Sequence, residues 1–312
     1  MPRPRATLAL LAAACLLAAV APARSADEII VSAPRLGPRL WYVQHDAARL
    51  WILGTVSPLP VGARWRAGEV ERLLGEADAV LAAKPMEISL RRVLWILIAQ
   101  RDLVVIKDGR KLEDVLSPEL YARFAVQRAK YGLGKEKWER YRPIVAGALL
   151  EDAAMQKHGL SERLDVSLAV RHLARNHHVR IEEVKIPGAP DLLGALKSVS
   201  PDAESRCLTA ILGTVESGLP LLAQRADAWS SGDLERMQGL PESTEQSCGA
   251  ALGAEKGAAG VLAQIHRRWL EALEAHLRGS ALTIAVLDVG LLLGPGGLLD
   301  ALRADGYAVA AP

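Results

Sequence analysis

The sequence has few aromatic residues and almost no excess of charge of either sign. Phe, Trp and Tyr together make up 4% of the chain, and 38 Lys and Arg residues nearly balance 36 Asp and Glu residues. A nucleic-acid-binding protein needs concentrated positive charge and aromatic surfaces for base stacking, so this composition argues against a nucleic-acid partner. Hydrophobic residues make up 50% of the chain, which excludes a disordered protein.

Long apolar runs are also missing, except at the amino terminus. Arg3 and Arg5 precede an uncharged apolar stretch over residues 6–21, and small residues follow it. This stretch of about 16 residues is shorter than the roughly 20 that a membrane-spanning helix needs. Residues 1–26 are therefore predicted to be a secretory signal peptide, cleaved after Ala23 or Ala26. The mature chain is expected to be exported, periplasmic or secreted, and without a membrane span.

Cysteine is scarce, with three in the whole chain. Cys15 lies in the predicted leader, which leaves Cys207 and Cys248. An even number of cysteines in an oxidising compartment favours a disulfide. This disulfide would close a loop of about 40 residues and add roughly 3–4 kcal/mol of stability. The alternative is two buried free thiols.

Strand patterns occur near both ends of the chain, and helical patterns dominate between them. The strand candidates are residues 40–43, 50–53, 79–82, 179–184, 282–287 and 307–309, the first two forming a hairpin. Ser117-Pro118-Glu119 is a typical helix start. A buried helix is predicted over residues 88–100 and an amphipathic one over 260–278. We therefore expect an α/β (α+β) fold with a central mixed sheet built from both chain ends and a large helical insert.

Short motifs at the ends of these strands resemble the TraB/GumN family, the group related to the Tiki proteins. The motifs are Gly54-Thr55-Val56-Ser57-Pro58-Leu59-Pro60, Ala77-Asp78-Ala79-Val80-Leu81-Ala82-Ala83, Asp288-Val289-Gly290-Leu291-Leu292, Gly294-Pro295-Gly296-Gly297 and Gly306-Tyr307-Ala308-Val309. The resemblance implies one domain over residues 27–312. Its parts are an N-terminal hairpin and strand (38–84), a helical middle (86–280) and a C-terminal strand-turn-helix-strand (281–312).

The resemblance also implies a metal-dependent hydrolase site, whose ligands are replaced in this sequence. In the family, two His residues from Gly-x-x-His motifs and a Glu after the second strand converge, and such side chains suit a divalent metal. The matching positions here are Ser57, Ala83 (or Lys84) and Leu291, whereas the motif glycines Gly54, Gly294 and Gly297 persist. A hydroxyl is a poor ligand for an isolated ion, and Ala and Leu have no donor atom. We therefore predict no metal, no cofactor and no catalytic residue at these positions.

Three functions are compatible with this pattern. In the first, the chain is a degenerate, non-catalytic binding or accessory protein of the cell envelope. Its cleft, lined by Ser57, Ala83 and Leu291, would bind a protein, a peptide or a glycan. In the second, it is an active, metalloprotease-like hydrolase with relocated residues drawn from Ser57, Asp165, Glu182 and Glu183. In the third, it is a structural or assembly protein with a wide apolar patch. Without chemistry, Glu182 and Glu183 fit an alternating strand and Asp165 fits a helix cap.

Overall fold

The structure of the protein is a computed structural model. It describes residues 37–84, 100–162, 166–241, 248–249, 251–253, 255–293 and 296–310. The predicted leader, nearly all of the predicted helix over residues 88–100, and the site candidates Asp165 and Gly294 lie outside the described residues.

The described strands form one large sheet and one small one. They are β1 (Leu40–His45), β2 (Ala48–Thr55), β3 (Leu59–Pro60), β4 (Ala79–Ala83), β5 (Leu160–Ser161), β6 (Arg180–Val184), β7 (Leu282–Asp288) and β8 (Ala308–Ala310). The large sheet has six strands in the order β6-β4-β7-β2-β1-β8, and β3 pairs with β5. Strands β6, β4, β7 and β2 are parallel, whereas β1 is antiparallel to both β2 and β8. The predicted α/β fold with a mixed sheet is confirmed.

The two ends of the chain meet in the large sheet, as the sequence predicts. Strand β2 of the amino-terminal hairpin pairs with β7, in a register that runs from Arg49–Leu282 to Thr55–Asp288. Strand β7 is buried along nearly its whole length, since a parallel strand covered on both faces carries apolar residues on both. The edge strand β6 comes from the predicted helical middle, so that segment contributes to the sheet as well.

Helices cover both faces of the sheet and form the insert. Those with described bounds are α1 (Gly68–Leu74), α2 (Leu112–Val115), α3 (Pro118–Lys130), α4 (Lys135–Trp138), α5 (Pro143–Lys157), α6 (Val166–Asn176), α7 (Ala189–Lys197), α8 (Pro201–Gly213), α9 (Leu219–Ser231), α10 (Leu234–Gln238), α11 (Lys256–Leu277), α12 (Val289–Leu293) and α13 (Leu298–Ala304). The predicted start of α3 is confirmed, because the Leu120 N–H donates to Ser117 Oγ at 3.2 Å. A π-helical segment, Thr214–Gly218, joins α8 to α9. The combined run, Pro201–Ser231, is long and apolar enough to cross a membrane by length and composition alone.

The buried apolar residues form two clusters. The sheet core contains the buried strand residues together with Trp229 and Trp269. The insert core lies among α3, α5, α8 and α9 and includes Phe124, Leu150 and Leu208.

A disulfide and a close helix contact stabilise the insert core. The predicted Cys207–Cys248 disulfide is confirmed, with a sequence separation of 41 residues. Helices α5 and α8 approach closely at Gly147, where an added Cβ would lie 2.7 Å from Ile211 Cδ1.

Candidate functional site

The sheet topology places the three positions at which the resemblance implies lost ligands at one edge of the sheet. Strands β2, β7 and β4 are parallel neighbours, so their carboxyl ends lie side by side. Ser57 follows β2, Ala83 ends β4, and Leu291 lies in α12 immediately after β7. All three are partly buried. We call this region, defined by Ser57, Ala83 and Leu291, the carboxyl edge; in open α/β sheets the corresponding edge is where ligands bind.

Gly54 allows the first and third motifs to pack against each other behind the carboxyl edge. A Cβ at this position would lie 2.9 Å from Trp41, 3.1 Å from Leu292 and 3.2 Å from Val289. The Gly54 carbonyl also accepts a 2.7 Å hydrogen bond from the buried indole N–H of Trp229. The absence of a side chain at Gly54 therefore positions α12, and with it Leu291, against β2.

Gly297, the other described motif glycine, begins helix α13. It is buried and lies at the N-cap of this helix with an extended backbone conformation. Its carbonyl accepts hydrogen bonds from the N–H groups of Asp300 and Ala301. Gly297 therefore contributes to the start of a helix.

A buried arginine provides the main charged group at the carboxyl edge. Arg171 of α6 is 5% exposed, and its guanidinium donates to the carbonyl oxygens of Ala83, at 2.5 Å, and of Ala82, at 3.4 Å. The carboxylate of Glu183 lies 3.6 Å from the same guanidinium. On the neighbouring strand, the Asp288 carboxylate accepts from the Gly290 N–H at 2.8 Å, which fixes the start of α12.

These groups do not fit the divalent metal that the family resemblance implies. A guanidinium is permanently charged in proteins and repels a cation placed beside it, while Ala83 and Leu291 offer no donor atom. Within the described parts of the chain, no three or more His, Cys, Asp or Glu residues are arranged to hold a metal ion.

The two glutamate candidates point to opposite faces of the sheet. They are consecutive residues of β6, and successive side chains of a strand alternate between the two faces. Glu183 lies beside Arg171. Glu182 lies beside His276 of α11, with 3.1 Å between Glu182 Oε2 and His276 Nε2, and 2.7 Å from Arg180. The two carboxylates therefore do not form an acid–base pair.

Glu182, His276 and Thr283 form a connected series of polar contacts. His276 Nδ1 lies 2.9 Å from Thr283 Oγ1, so carboxylate, imidazole and hydroxyl follow one another as in a nucleophile–base–acid arrangement. Thr283 is 1% exposed, so its hydroxyl is inaccessible to substrate. The series attaches the end of α11 to β6 and β7. No sequence pattern predicts this contact, because His276 is 94 residues from Glu182.

Three cavities are candidate binding sites. One, of about 800 Å³, opens in the insert, and one of about 380 Å³ lies beside it. A third, of about 220 Å³, lies between β3 and α9 and is lined by Trp65 and Trp229. Ser57, Ala83 and Leu291 line none of these three cavities. The cleft expected at the carboxyl edge stays a prediction.

The fold and the carboxyl edge define a class of α/β protein. In this class, both chain ends form one sheet and a helical insert lies between them in the sequence. The model of the TraB/PrgY/gumN family matches residues 39–311, so the chain belongs to that family, and the resemblance drawn from the motifs is confirmed. Searches of curated proteins and of solved structures found no match.

Proposed function

We propose that this chain is a non-catalytic member of its family that acts as a binding or accessory protein in the cell envelope. The observation that carries the proposal is the Arg171 guanidinium bonded to the Ala83 carbonyl, at the position where the family resemblance expects a metal-ligating glutamate. Ser57 and Leu291 complete the edge with a hydroxyl and an apolar side chain. A protein, a peptide or a glycan remains the proposed partner.

Electrostatics supports this reading of the edge. Two positive charges close together in a partly buried site repel each other by several kcal/mol. Arg171 is held in place by hydrogen bonds to the two strand carbonyls, and these bonds would be lost if it moved aside. Glu183 offsets part of this charge, but Glu183 and Asp288 together are fewer than the three or four protein ligands that catalytic and structural zinc sites use.

Export is part of the proposal and has two supports. The first is the leader predicted over residues 1–26 from its charge and apolar pattern. The second is the Cys207–Cys248 disulfide, since such bonds persist in oxidising compartments outside the cytosol. Fractionation of cells that express the full chain, with amino-terminal sequencing of the mature protein, tests both export and the cleavage position. Retention of the unprocessed chain in the cytosol would contradict this part of the proposal.

Metal content and hydrolysis test the non-catalytic role. The purified mature protein is incubated with Zn²⁺, Mn²⁺ or Co²⁺, dialysed and analysed for metal, and assayed for hydrolysis of a mixed peptide library. We expect no stoichiometric metal and no chelator-sensitive hydrolysis. One tightly held ion per chain, together with hydrolysis that a chelator removes, would overturn the proposal. Arg171→Met serves as the matched variant, since it removes the charge and keeps much of the side-chain volume.

A hydrolase with relocated residues is the second candidate, and the Glu182–His276–Thr283 contacts are the observation in its favour. This candidate predicts peptide hydrolysis that His276→Asn abolishes and that chelators leave unchanged. The burial of Thr283 favours the binding role, because a nucleophile must reach its substrate. Equal inactivity of the wild-type protein and the variant would eliminate this candidate.

A further inference from the structure

The largest described cavity lies in the insert, away from the carboxyl edge. It has a volume of about 800 Å³ and opens between the segment 100–110, the start of α5, the end of α7 and the start of α8. We call it the insert cavity. Its volume lies within the range of about 300–1,000 Å³ that is typical of small-molecule sites.

Aliphatic side chains form one part of the lining of the insert cavity. Leu103, Val105, Ile106, Pro143 and Val199 line it, and Leu103, Pro143 and Val199 are buried. Side chains of this kind bind an apolar group through dispersion and the release of water.

Cationic side chains surround this apolar surface. Arg101, Arg110 and Lys197 line the cavity, are exposed and take part in no ion pair with the residues that the structure describes. Arg140 adds a further positive charge in the adjoining cavity of about 380 Å³, which Arg101 and Arg110 also line.

Most of the acidic side chains that line the cavity already have cationic partners. The Asp102 carboxylate lies 3.4 Å from the Lys107 ammonium. Glu204 is buried and accepts hydrogen bonds from the Arg142 guanidinium. Asp108 is the other acidic residue of the described lining. The rim of the cavity, formed by Arg101, Arg110 and Lys197, therefore has more positive side chains than acidic side chains to balance them. Its net charge is positive.

The walls of the cavity are held together by buried polar contacts. Arg142, at the start of α5, is bonded to Glu204 of α8 and also donates to the carbonyl of Leu196 in α7, at 3.3 Å. The segment 100–110 is attached to the same place, because the Ile106 N–H donates to Arg140 O at 2.8 Å and the Arg142 N–H to Val104 O at 2.9 Å. A preformed cavity loses less conformational entropy on binding than a flexible one.

We propose that the insert cavity binds a low-molecular-weight organic anion with an apolar body. Its carboxylate, phosphate or sulfonate group lies among Arg101, Arg110 and Lys197, and its apolar part lies on Leu103 and Ile106. The concave shape and the aliphatic part of the lining favour a small amphiphilic molecule over a macromolecular polyanion. The cavity is distinct from the carboxyl edge, so this inference holds or fails independently of the non-catalytic role.

Two fluorescent probes that differ by one sulfonate group test the inference. The anion is 8-anilinonaphthalene-1-sulfonate and its neutral counterpart is N-phenyl-1-naphthylamine, each titrated into the mature protein. We expect the anion to bind more tightly than the neutral probe, and its affinity to fall as salt is added. Equal affinity of the two probes, or an anion affinity that salt does not change, would overturn the inference.

Charge-reversal variants assign the binding to the insert cavity. Arg101→Glu/Lys197→Glu is expected to weaken binding of the anionic probe about tenfold and to leave the neutral probe nearly unchanged. The matched control is Arg175→Glu/Arg206→Glu, which makes the same change in net charge at exposed residues outside the cavity lining. Equal weakening by the two double variants would show that net charge alone attracts the probe, and would contradict the proposed site. A decanoate competitor that displaces the probe, while decanol at the same concentration does not, extends the test to carboxylates.

Discussion

The sheet core and the insert core differ in how they use charged side chains. The described residues that are buried and polar or charged are Gln127, Arg128, Glu139, Glu151, Arg171, Glu204, Arg225 and Thr283. Five of them, Gln127, Arg128, Glu139, Glu151 and Glu204, belong to the segments around the insert core. Arg171 and Thr283 belong to the sheet side, and Arg225 bonds to the carbonyl of Met237, a residue of the sheet core. The sheet is therefore held mainly by strand pairing and apolar burial, whereas the order of the insert depends on buried ionic contacts. A substitution that removes one buried ionic contact therefore tests whether the insert depends on charge in a way that the sheet does not.

The largest effect is expected from Glu139→Ala. The Glu139 carboxylate is 3% exposed and accepts from the Arg128 guanidinium at 2.6 Å and from the Tyr121 hydroxyl at 2.8 Å. Its removal leaves a buried, unpaired guanidinium, so we expect the free energy of unfolding to fall by about 3–5 kcal/mol. Urea denaturation measures this change. Glu136→Ala, at an exposed position three residues earlier, is the control, and comparable losses in the two variants would refute the dependence on a buried charge pair.

A smaller loss is expected when the covalent connection in the insert is removed. Cys207→Ala/Cys248→Ala opens a loop whose ends are 41 residues apart, which costs about 3–4 kcal/mol in the chain-entropy model. Thermal and urea unfolding of the double variant measure the loss. The single variant Cys248→Ala, kept reduced, should lose a similar amount, because either substitution opens the loop. A double variant as stable as the wild type would mean that noncovalent packing alone orders the insert.

Gly54→Ala tests the sheet core, whose stability is expected to depend on tight apolar packing rather than on charge. The added methyl group would lie within 2.9–3.2 Å of Trp41, Val289 and Leu292, so we expect a loss of about 1–3 kcal/mol from overpacking. Gly68→Ala is the control, because a Cβ at Gly68 meets no atom within 4 Å. If the two variants unfold at the same urea concentration, close packing behind the carboxyl edge is not what Gly54 provides.

The fold could be predicted to a large extent because its strands carry local signals. The predicted strand over residues 282–287 corresponds to β7, which ends one residue later, and the predicted hairpin corresponds to β1 and β2. Alternation and turn residues encode such elements directly. The pair β3 and β5 was missed, since two-residue strands are too short to form a pattern.

The polar contacts of the candidate sites could not be predicted in the same way. Arg171 reaches a carbonyl 88 residues away, and Arg142 reaches a glutamate 62 residues away. In the sequence, each of these residues is only a charged position in a helix or at its start. Its place in the helical repeat does not distinguish a buried arginine from an exposed one. Ser57, Ala83 and Leu291 were singled out because they belong to short motifs, and the loss of family ligands there stays a prediction. The charge that lies beside Ala83 comes from a helix that is distant in the sequence.

The smallest expected effect concerns Tyr121, the third member of the buried charge contact in the insert. Burial, and then the hydrogen bond to Glu139, raise the pKa of Tyr121 from its ordinary value of 10.0 to about 12. The folded state thus favours the neutral phenol. The stability gained from it is fully present below pH 10, and is lost as the pH rises towards 12.

We therefore expect Tyr121→Phe to be about 1 kcal/mol less stable than the wild type at neutral pH, with the difference shrinking between about pH 10 and 12. Urea denaturation of both proteins across this range measures the difference, in which the titration of all other groups cancels. A stability difference that stays constant over this range would show that folding does not raise the pKa of Tyr121, and no difference at neutral pH would show that the hydrogen bond to Glu139 contributes nothing. The buried charge contact would then consist of Arg128 and Glu139 alone, and the contrast with the sheet core would depend on ion pairs rather than on hydrogen-bonded networks.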